Sequence, residues 1–208
     1  MVSTSPCLNA PGDICPTDIL QTELWIKRPD FKFTGVCFGH QLLSRLLGAP
    51  VGPSPKGDWE LGHSAITLTS TGQRLFRSSS DVVYLHQMHQ DQVTKVPVAS
   101  SDKDDLLNLH GGAKVECWGK SSHTAIQGLY IRNRMFTSQA HLAFDEDMVR
   151  RQIAMRVEAG GITDMEHADK AKETAHLQHD GVEVAKAILR IFSFDDDGMY
   201  DKDGKQSS

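Results

Sequence analysis

A cysteine flanked by two glycines is the part of this sequence best suited to chemistry. In "FTGVCFGHQLLSRLLG", Cys37 lies between Gly35 and Gly39, where an apolar run gives way to a helical pattern. A cysteine nucleophile reacts as the thiolate, and the N–H groups at a helix N-terminus favour that negative charge. The Gly-x-Cys-x-Gly spacing predicts a nucleophile on a sharp turn between a strand and a helix. A small buried residue that closes the strand is the alternative.

The segments around this turn have the patterns of an α/β protein. A strand at residues 31–38 runs into a helix with an apolar stripe of leucines, and short helices are predicted at residues 16–30 and 71–76. Further strands are predicted at residues 64–70, 81–93, 113–120 and 124–144, the last folded into a hairpin at "RNR". Helical periodicity follows at residues 145–160 and 167–192, with a break near Gly181. Strands mixed with helices indicate an α/β sheet covered by helices.

Composition and charge predict the domain boundaries and exclude some classes of partner. We expect an irregular N-terminal segment at residues 1–16, a single domain at 17–192 and an acidic disordered tail at 193–208. A net charge of −5 gives no broad attraction for nucleic acid or anionic lipid, and no apolar run is long enough to span a membrane. The four cysteines show no CxxC pair. These features predict a cytoplasmic protein with free thiols and no nucleic-acid or membrane partner.

The ten histidines of the chain invite a metal site. His86 and His89 are three residues apart on a predicted strand, which places them on opposite sides, and no carboxylate or cysteine completes a known ligand spacing. Solvated or hydrogen-bonded histidines are the simpler interpretation. We therefore expect no metal.

The continuation "GVCFGHQ" resembles the nucleophile elbow of class I glutamine amidotransferases. The segments "GDWELG", "LHQMHQDQV" and "AIQGLYIRNRMFTSQAH" are similar, in order, to blocks of the stand-alone amidotransferase-like proteins, some of which are γ-glutamyl peptidases. The resemblance covers approximately residues 17–145. It implies a flavodoxin-like α/β fold, with a sheet of mostly parallel strands and helices on both faces. It also implies a Cys-His-Glu triad that forms a glutamyl thioester without a cofactor.

The resemblance assigns roles to individual residues. Cys37 matches the nucleophile, and the N–H of Phe38 matches a donor to the oxyanion. Gln41 matches a position that helps to hold the α-amino acid end of the substrate. His141 matches the triad base, and His89 falls in the loop that lines the substrate pocket.

The sequence departs from the family pattern in two places. Ala143 occupies the position of the triad glutamate; Asp145 or Glu146 could substitute, although each is more simply a charge at a helix N-terminus. Upstream, residues 1–16 stand where the family has its first strand and a glycine-containing loop that donates a second oxyanion N–H. The first strand is therefore expected to be missing, in a truncated or differently spliced product, or else the oxyanion hole is incomplete.

Two functions follow from these features. The first is a cysteine hydrolase that acts on glutamine or a γ-glutamyl amide through a thioester on Cys37. The alternative is a catalytically impaired pseudoenzyme that binds a γ-glutamyl ligand or a partner protein. The expected partners are a small γ-glutamyl substrate, an acceptor enzyme for released ammonia, or a second copy of the chain that covers the open sheet edge.

Overall fold

The computed structural model describes residues 19–102 and 105–193 of the 208-residue chain. The predicted irregular segment, residues 1–16, lies outside these ranges, as does the predicted acidic tail apart from its first residue, Ser193. The assignment of residues 17–192 to a single domain stays a prediction.

Strands of the described chain form a larger sheet and a small two-stranded sheet. In chain order the strands are β1 (Phe33–Val36), β2 (Val51–Pro53), β3 (Glu60–Leu68), β4 (Val82–His89), β5 (Asp91–Val93), β6 (Glu116–Lys120), β7 (Gly128–Ile131) and β8 (Met135–Ser138). The larger sheet has the strand order β1-β8-β7-β6-β3-β4, and the smaller one pairs β2 with β5. The predicted hairpin at residues 132–134 is confirmed as the turn between β7 and β8.

The helices fall mostly where the periodicity places them. They are α1 (Phe38–Leu46), α2 (Ser70–Phe76), α3 (Glu146–Glu158), α4 (Met165–Glu173) and α5 (Gly181–Phe192). A π-type segment at Ile19–Ile26 precedes β1, and a 3-10 turn at Asn108–His110 precedes β6. The predicted break near Gly181 is confirmed, because α5 begins at this residue.

Strand direction is the main difference from expectation. β1 pairs with β8 in parallel, whereas the other neighbouring pairs of the larger sheet are antiparallel. A parallel pair needs a crossover of about a dozen residues or more, and the three-residue turn between β7 and β8 is too short for one. The α/β class is therefore confirmed, while the prediction of mostly parallel strands is wrong for the described strands.

Helices pack on both faces of the larger sheet. Along β7, Tyr130 faces one apolar cluster while Leu129 and Ile131 face another, as the alternation of a strand requires. The Tyr130 cluster contains residues of α2 and α5, and the Leu129 cluster contains residues of α1 and the π-type segment. This packing fixes β1 and β8, the strands that lead into the candidate site, between two buried layers.

Candidate active site

Cys37 occupies the predicted turn between β1 and α1. Its backbone has φ 52° and ψ −106°, a conformation that is costly for a residue other than glycine. The N–H of Cys37, one residue beyond the end of β1, donates to the carbonyl of Ser138, the last residue of β8, at 2.8 Å. The packed sheet thus holds the cysteine in a strained geometry at the N-terminus of α1, as the sequence predicts.

The two glycines beside the cysteine differ in what they permit. A Cβ atom added at Gly35 would lie 2.6 Å from the backbone carbon and oxygen of Gly39, because the first turn of α1 passes directly over β1. A Cβ atom added at Gly39 would meet no atom of the described residues within 4 Å. Close backbone approach therefore explains Gly35, whereas the described chain shows no such requirement at Gly39.

We expect Gly35→Ala to lower the free energy of unfolding by about 1–3 kcal/mol, since the added methyl group meets backbone that must move. Gly39→Ala is the matched control, and we expect it to be neutral or to stabilise α1 by up to about 1 kcal/mol. Urea unfolding followed by far-UV circular dichroism measures both changes. Equal destabilisation by the two substitutions would contradict the close-packed turn.

Burial controls the acidity of the Cys37 thiol. It raises the pKa of the thiol above its ordinary value, and the N–H of Phe38, the charge of Arg156 and the side chain of Gln139 offset only part of this rise. The helix N-terminus favours the thiolate as predicted, but desolvation outweighs it. The thiol therefore needs a base to remove its proton.

His141 lies at the same edge of the sheet as Cys37. It follows β8, and β8 runs parallel to β1. Its N–H donates to the carbonyl of His86 at 2.9 Å, and its ring stacks on Phe144 with 3.9 Å between the ring centroids. Burial, and to a smaller extent the charge of His89, lowers the pKa of His141 to about 4. The ring is thus neutral at pH 7 and able to accept a proton, although no hydrogen bond in the described chain joins it to the thiol.

Gln41 is held in place by backbone and side-chain oxygens. Its Nε2 donates to the carbonyl of Asp91 at 2.8 Å and to Oε1 of Gln139 at 3.2 Å. Both N–H bonds of the amide are used in this way, so Oε1 of Gln41 is the atom available to a ligand. The substrate-binding role that the family resemblance implies for Gln41 stays a prediction.

His89 contacts the same Asp91 carbonyl as Gln41. Its Nδ1 contacts the carbonyl of Asp91 at 3.0 Å and its Nε2 contacts Oε2 of Glu60 at 3.0 Å. The ring thus joins the Asp91 backbone to the Glu60 carboxylate. Burial tends to raise the pKa of Glu60, but the hydrogen bond and the charge of His89 leave the pKa below its ordinary value. His89 is 3% exposed and is the last residue of β4, so the expectation that it lies in a loop is wrong, and its role at a substrate pocket stays a prediction.

The two carboxylates proposed as substitutes for the triad glutamate have other partners in this structure. Asp145 caps α3 by accepting a hydrogen bond from the N–H of Met148 at 2.8 Å. Glu146 accepts one from Nε of Arg150, also at 2.8 Å. The simpler interpretation, charges at a helix N-terminus, describes both, and a role for either beside His141 stays a prediction that this geometry does not favour.

Sequence reasoning missed two buried polar residues at the site, Glu60 and Gln139. Glu60 is 5% exposed and Gln139 is fully buried. The available signal for Gln139 was the polar run "TSQ" at the end of the otherwise apolar strand β8. Polar residues at the end of an apolar strand lie at the edge of the sheet, where a site can form. The signal for Glu60 is weaker, since a carboxylate next to a glycine-rich turn normally lies in solvent.

Three further histidines pack against one another. The His86 ring contacts those of His63 and His179, with 5.5 and 5.2 Å between centroids, while His89 on the same strand faces Glu60. No group of three or more His, Cys, Asp or Glu within residues 19–102 and 105–193 could hold a metal ion. In the same ranges, none of the helices combines the length and apolar character needed to cross a membrane.

Comparison with known proteins places this fold and site in a family. The model of the class-I glutamine amidotransferases matches residues 5–144, and the chain belongs to this family. A Saccharomyces cerevisiae protein, whose name assigns it provisionally to the glutamine amidotransferases, is 30% identical over 158 residues, which are 76% of this chain and 55% of the relative. Gamma-glutamyl peptidase 3 of Arabidopsis thaliana is 28% identical over 148 residues, 69% of this chain and 53% of that protein.

A solved structure supports the same fold. The crystal structure of a glutamine amidotransferase from Thermotoga maritima has a TM-score of 0.53 at 19% identity, and the match covers 80% of this chain and 64% of that one. The chain spans about half the length of the curated relatives it matches. The family and the α/β fold are thus defined, whereas the activity is inferred from the site.

Proposed function

We propose that this chain carries the nucleophile and base of a cysteine hydrolase that acts on glutamine or a γ-glutamyl amide. The observation that carries the proposal is the strained backbone of Cys37 at the N-terminus of α1. A fold maintains such strain only where the surrounding packing enforces it, and positions of this kind cluster at active sites. The neutral ring of His141 beyond the adjacent strand supplies the base.

The proposed reaction has two stages. His141 takes the thiol proton, and the thiolate of Cys37 attacks the γ-carbonyl carbon, forming an S–C bond and placing the carbonyl π electrons on oxygen. The N–H of Phe38 stabilises this oxyanion. When the oxyanion collapses, the C–N bond breaks and the protonated His141 gives its proton to the leaving amine. Water then attacks the thioester with the aid of the same histidine, releasing glutamate and restoring the thiol.

The substrate class rests on the relatives and on Gln41. One relative is named a gamma-glutamyl peptidase, and the available Oε1 of Gln41 suits the amino group of a glutamyl moiety. Ammonia or an amine would leave, and an acceptor enzyme could take it up. A second copy of the chain could cover the outer edge of β1, which pairs only with β8 within the described residues.

A pseudoenzyme is the second candidate, and two observations favour it. The pKa of the Cys37 thiol is raised, and the ring of His141 has no carboxylate partner within the described residues. In this alternative the pocket binds a γ-glutamyl ligand without turnover.

The experiment that separates the candidates is thioester trapping. Wild-type protein is mixed with γ-glutamyl-p-nitroanilide, quenched in acid and analysed by intact mass, while p-nitroaniline is followed by absorbance. We expect a glutamyl adduct that is absent from Cys37→Ala and present in Cys117→Ala, where the matched control removes another part-buried cysteine. A folded wild-type protein that binds the substrate but forms no adduct and releases no p-nitroaniline would favour the pseudoenzyme.

A further inference from the structure

The side-chain amide of Gln139 is buried and only half used. Gln139 has no exposed surface, its backbone N–H donates to the carbonyl of Gln127 at 2.8 Å, and its Oε1 accepts from Gln41 at 3.2 Å. Its Nε2 is buried and has no hydrogen-bond partner among residues 19–102 and 105–193. An unsatisfied buried donor costs about 1–3 kcal/mol, so its retention at this position calls for a reason.

The location of Gln139 supplies that reason. Ser138, its neighbour, accepts the hydrogen bond from the N–H of Cys37, so Gln139 is the first residue beyond the point where β8 meets the cysteine turn. Because Gln41 fixes Oε1, the rotation of the amide is set and Nε2 is directed away from Gln41. Burial raises the pKa of the Cys37 thiol, and the N–H of Phe38 and the side chain of Gln139 each offset part of that rise. Both donors therefore favour negative charge at the cysteine turn.

We propose that Nε2 of Gln139 and the N–H of Phe38 form the oxyanion hole of this chain. The inference rests on the proposed hydrolase function and adds a catalytic residue to it. As the thiolate forms its bond to the γ-carbonyl carbon, the electron pair of the C=O π bond moves to oxygen, and the two donors bind that oxygen. The same donors release it when the C–N bond breaks and the amine leaves with the proton from His141.

With Gln139 as a donor, the oxyanion hole has a second N–H group from within the described residues. The family resemblance implies a second donor from a glycine-containing loop upstream of the cysteine. The proposed donor instead follows β8 directly, and the packed sheet already holds it in place. Each such donor contributes roughly 10²–10³-fold to the rate of acyl transfer.

The test compares two reactions of the same thiol. Acylation by γ-glutamyl-p-nitroanilide passes through an oxyanion, whereas alkylation by iodoacetamide is a direct displacement and does not. We expect Gln139→Met to slow single-turnover acylation about 100-fold while the limiting alkylation rate at high pH stays within about threefold of wild type. Gln139→Glu keeps the acceptor for Gln41 but lacks the donor, so it is expected to show the same loss if Gln139→Met does not fold.

Gln41→Met is the matched control. It breaks the hydrogen bond to Gln139 but leaves the Gln139 amide in place, so we expect a higher KM with a much smaller loss of acylation rate at saturation. An equal loss in Gln41→Met and Gln139→Met, or parallel losses of acylation and alkylation, would show that Gln139 only positions its neighbours and would overturn the inference. If wild type is alkylated but never acylated, the hydrolase proposal falls and the inference falls with it.

Discussion

Acidification from pH 7 to pH 5 is expected to lower the free energy of unfolding by about 2 kcal/mol for each of three histidines, His40, His86 and His141. Burial lowers the pKa of His40 to about 3 and the pKa values of His86 and His141 to about 4, from an ordinary value of 6.5. The unfolded chain therefore binds protons below pH 6.5 that the folded chain does not bind. The stabilising contribution is fully present above pH 6.5 and is lost as the pH falls toward the folded pKa, at about 1.4 kcal/mol per pH unit for each ring.

The surroundings of each ring explain the direction. Nδ1 of His40 lies 2.8 Å from Oγ1 of Thr137 in the core beneath α1, and no carboxylate of the described chain forms an ion pair with His40. The His86 ring packs against those of His63 and His179; burial lowers its pKa most, and the charges of these two rings lower it further. The depressed pKa of Glu60 acts in the same direction, but only below its ordinary value of 4.5, outside this pH window.

Urea unfolding at pH 7, 6 and 5 measures this slope. We expect His86→Phe, which keeps an aromatic ring in the cluster, to flatten the slope by about one histidine, or 1.4 kcal/mol per pH unit. His176→Phe replaces an exposed histidine and is expected to leave the slope unchanged. A wild-type stability that is constant from pH 7 to pH 5 would contradict the assignment of buried neutral rings.

The cysteine turn could be predicted from sequence because its causes are local. Gly35, Cys37 and the apolar stripe of α1 lie within fourteen residues, and the contact that excludes a side chain at Gly35 comes from the start of that same helix. The turn at residues 132–134 was predictable for the same reason, since a short polar break between two apolar runs leaves little choice but a hairpin.

Strand pairing across the chain could not be predicted in this way. Whether β3 lies beside β6 depends on contacts between residues about fifty positions apart, and alternation along one strand does not reveal its neighbour. The family resemblance supplied a mostly parallel sheet, which the described strands do not have. Buried polar pairs present the same difficulty, because Glu60 finds its partner His89 only after β3 and β4 have paired.

The pKa of the Cys37 thiol depends on the helix N-terminus and on burial, and the sequence indicated only the first of these. The N–H of Phe38 does favour the thiolate, as the helix N-terminus implies, yet burial has the larger effect and the net pKa is raised. Burial is a property of the whole fold, and four residues of sequence cannot report it. The predicted role of His141 changes most. In the proposed reaction it must remove the thiol proton of Cys37, because the helix N-terminus alone does not lower the pKa of the thiol enough.

Ala143→Glu is expected to accelerate hydrolysis by about 10²-fold, because it supplies the carboxylate that His141 lacks. The ring of His141 stacks on Phe144 and makes no hydrogen bond within the described chain, and burial lowers its pKa to about 4, so the ring is a weak base. A nearby carboxylate would raise that pKa and stabilise the imidazolium formed when the thiol gives up its proton. Loss of the corresponding group in a serine triad costs up to about 10⁴-fold, which sets the upper limit of the gain.

The control for this substitution is Ala143→Gln, which has the same shape without the charge. Position 143 is exposed, so neither side chain should disturb the core. Turnover of γ-glutamyl-p-nitroanilide across pH 5 to 9 measures the effect. We expect the glutamate variant alone to raise kcat and to move the acidic limb of the profile to higher pH, because the base must be unprotonated to act and its pKa is raised. Equal rates for the glutamate and glutamine variants would mean that His141 is not the base. A gain confined to glutamate would establish that the Cys37–His141 pair is intact and limited only by the residue that follows it.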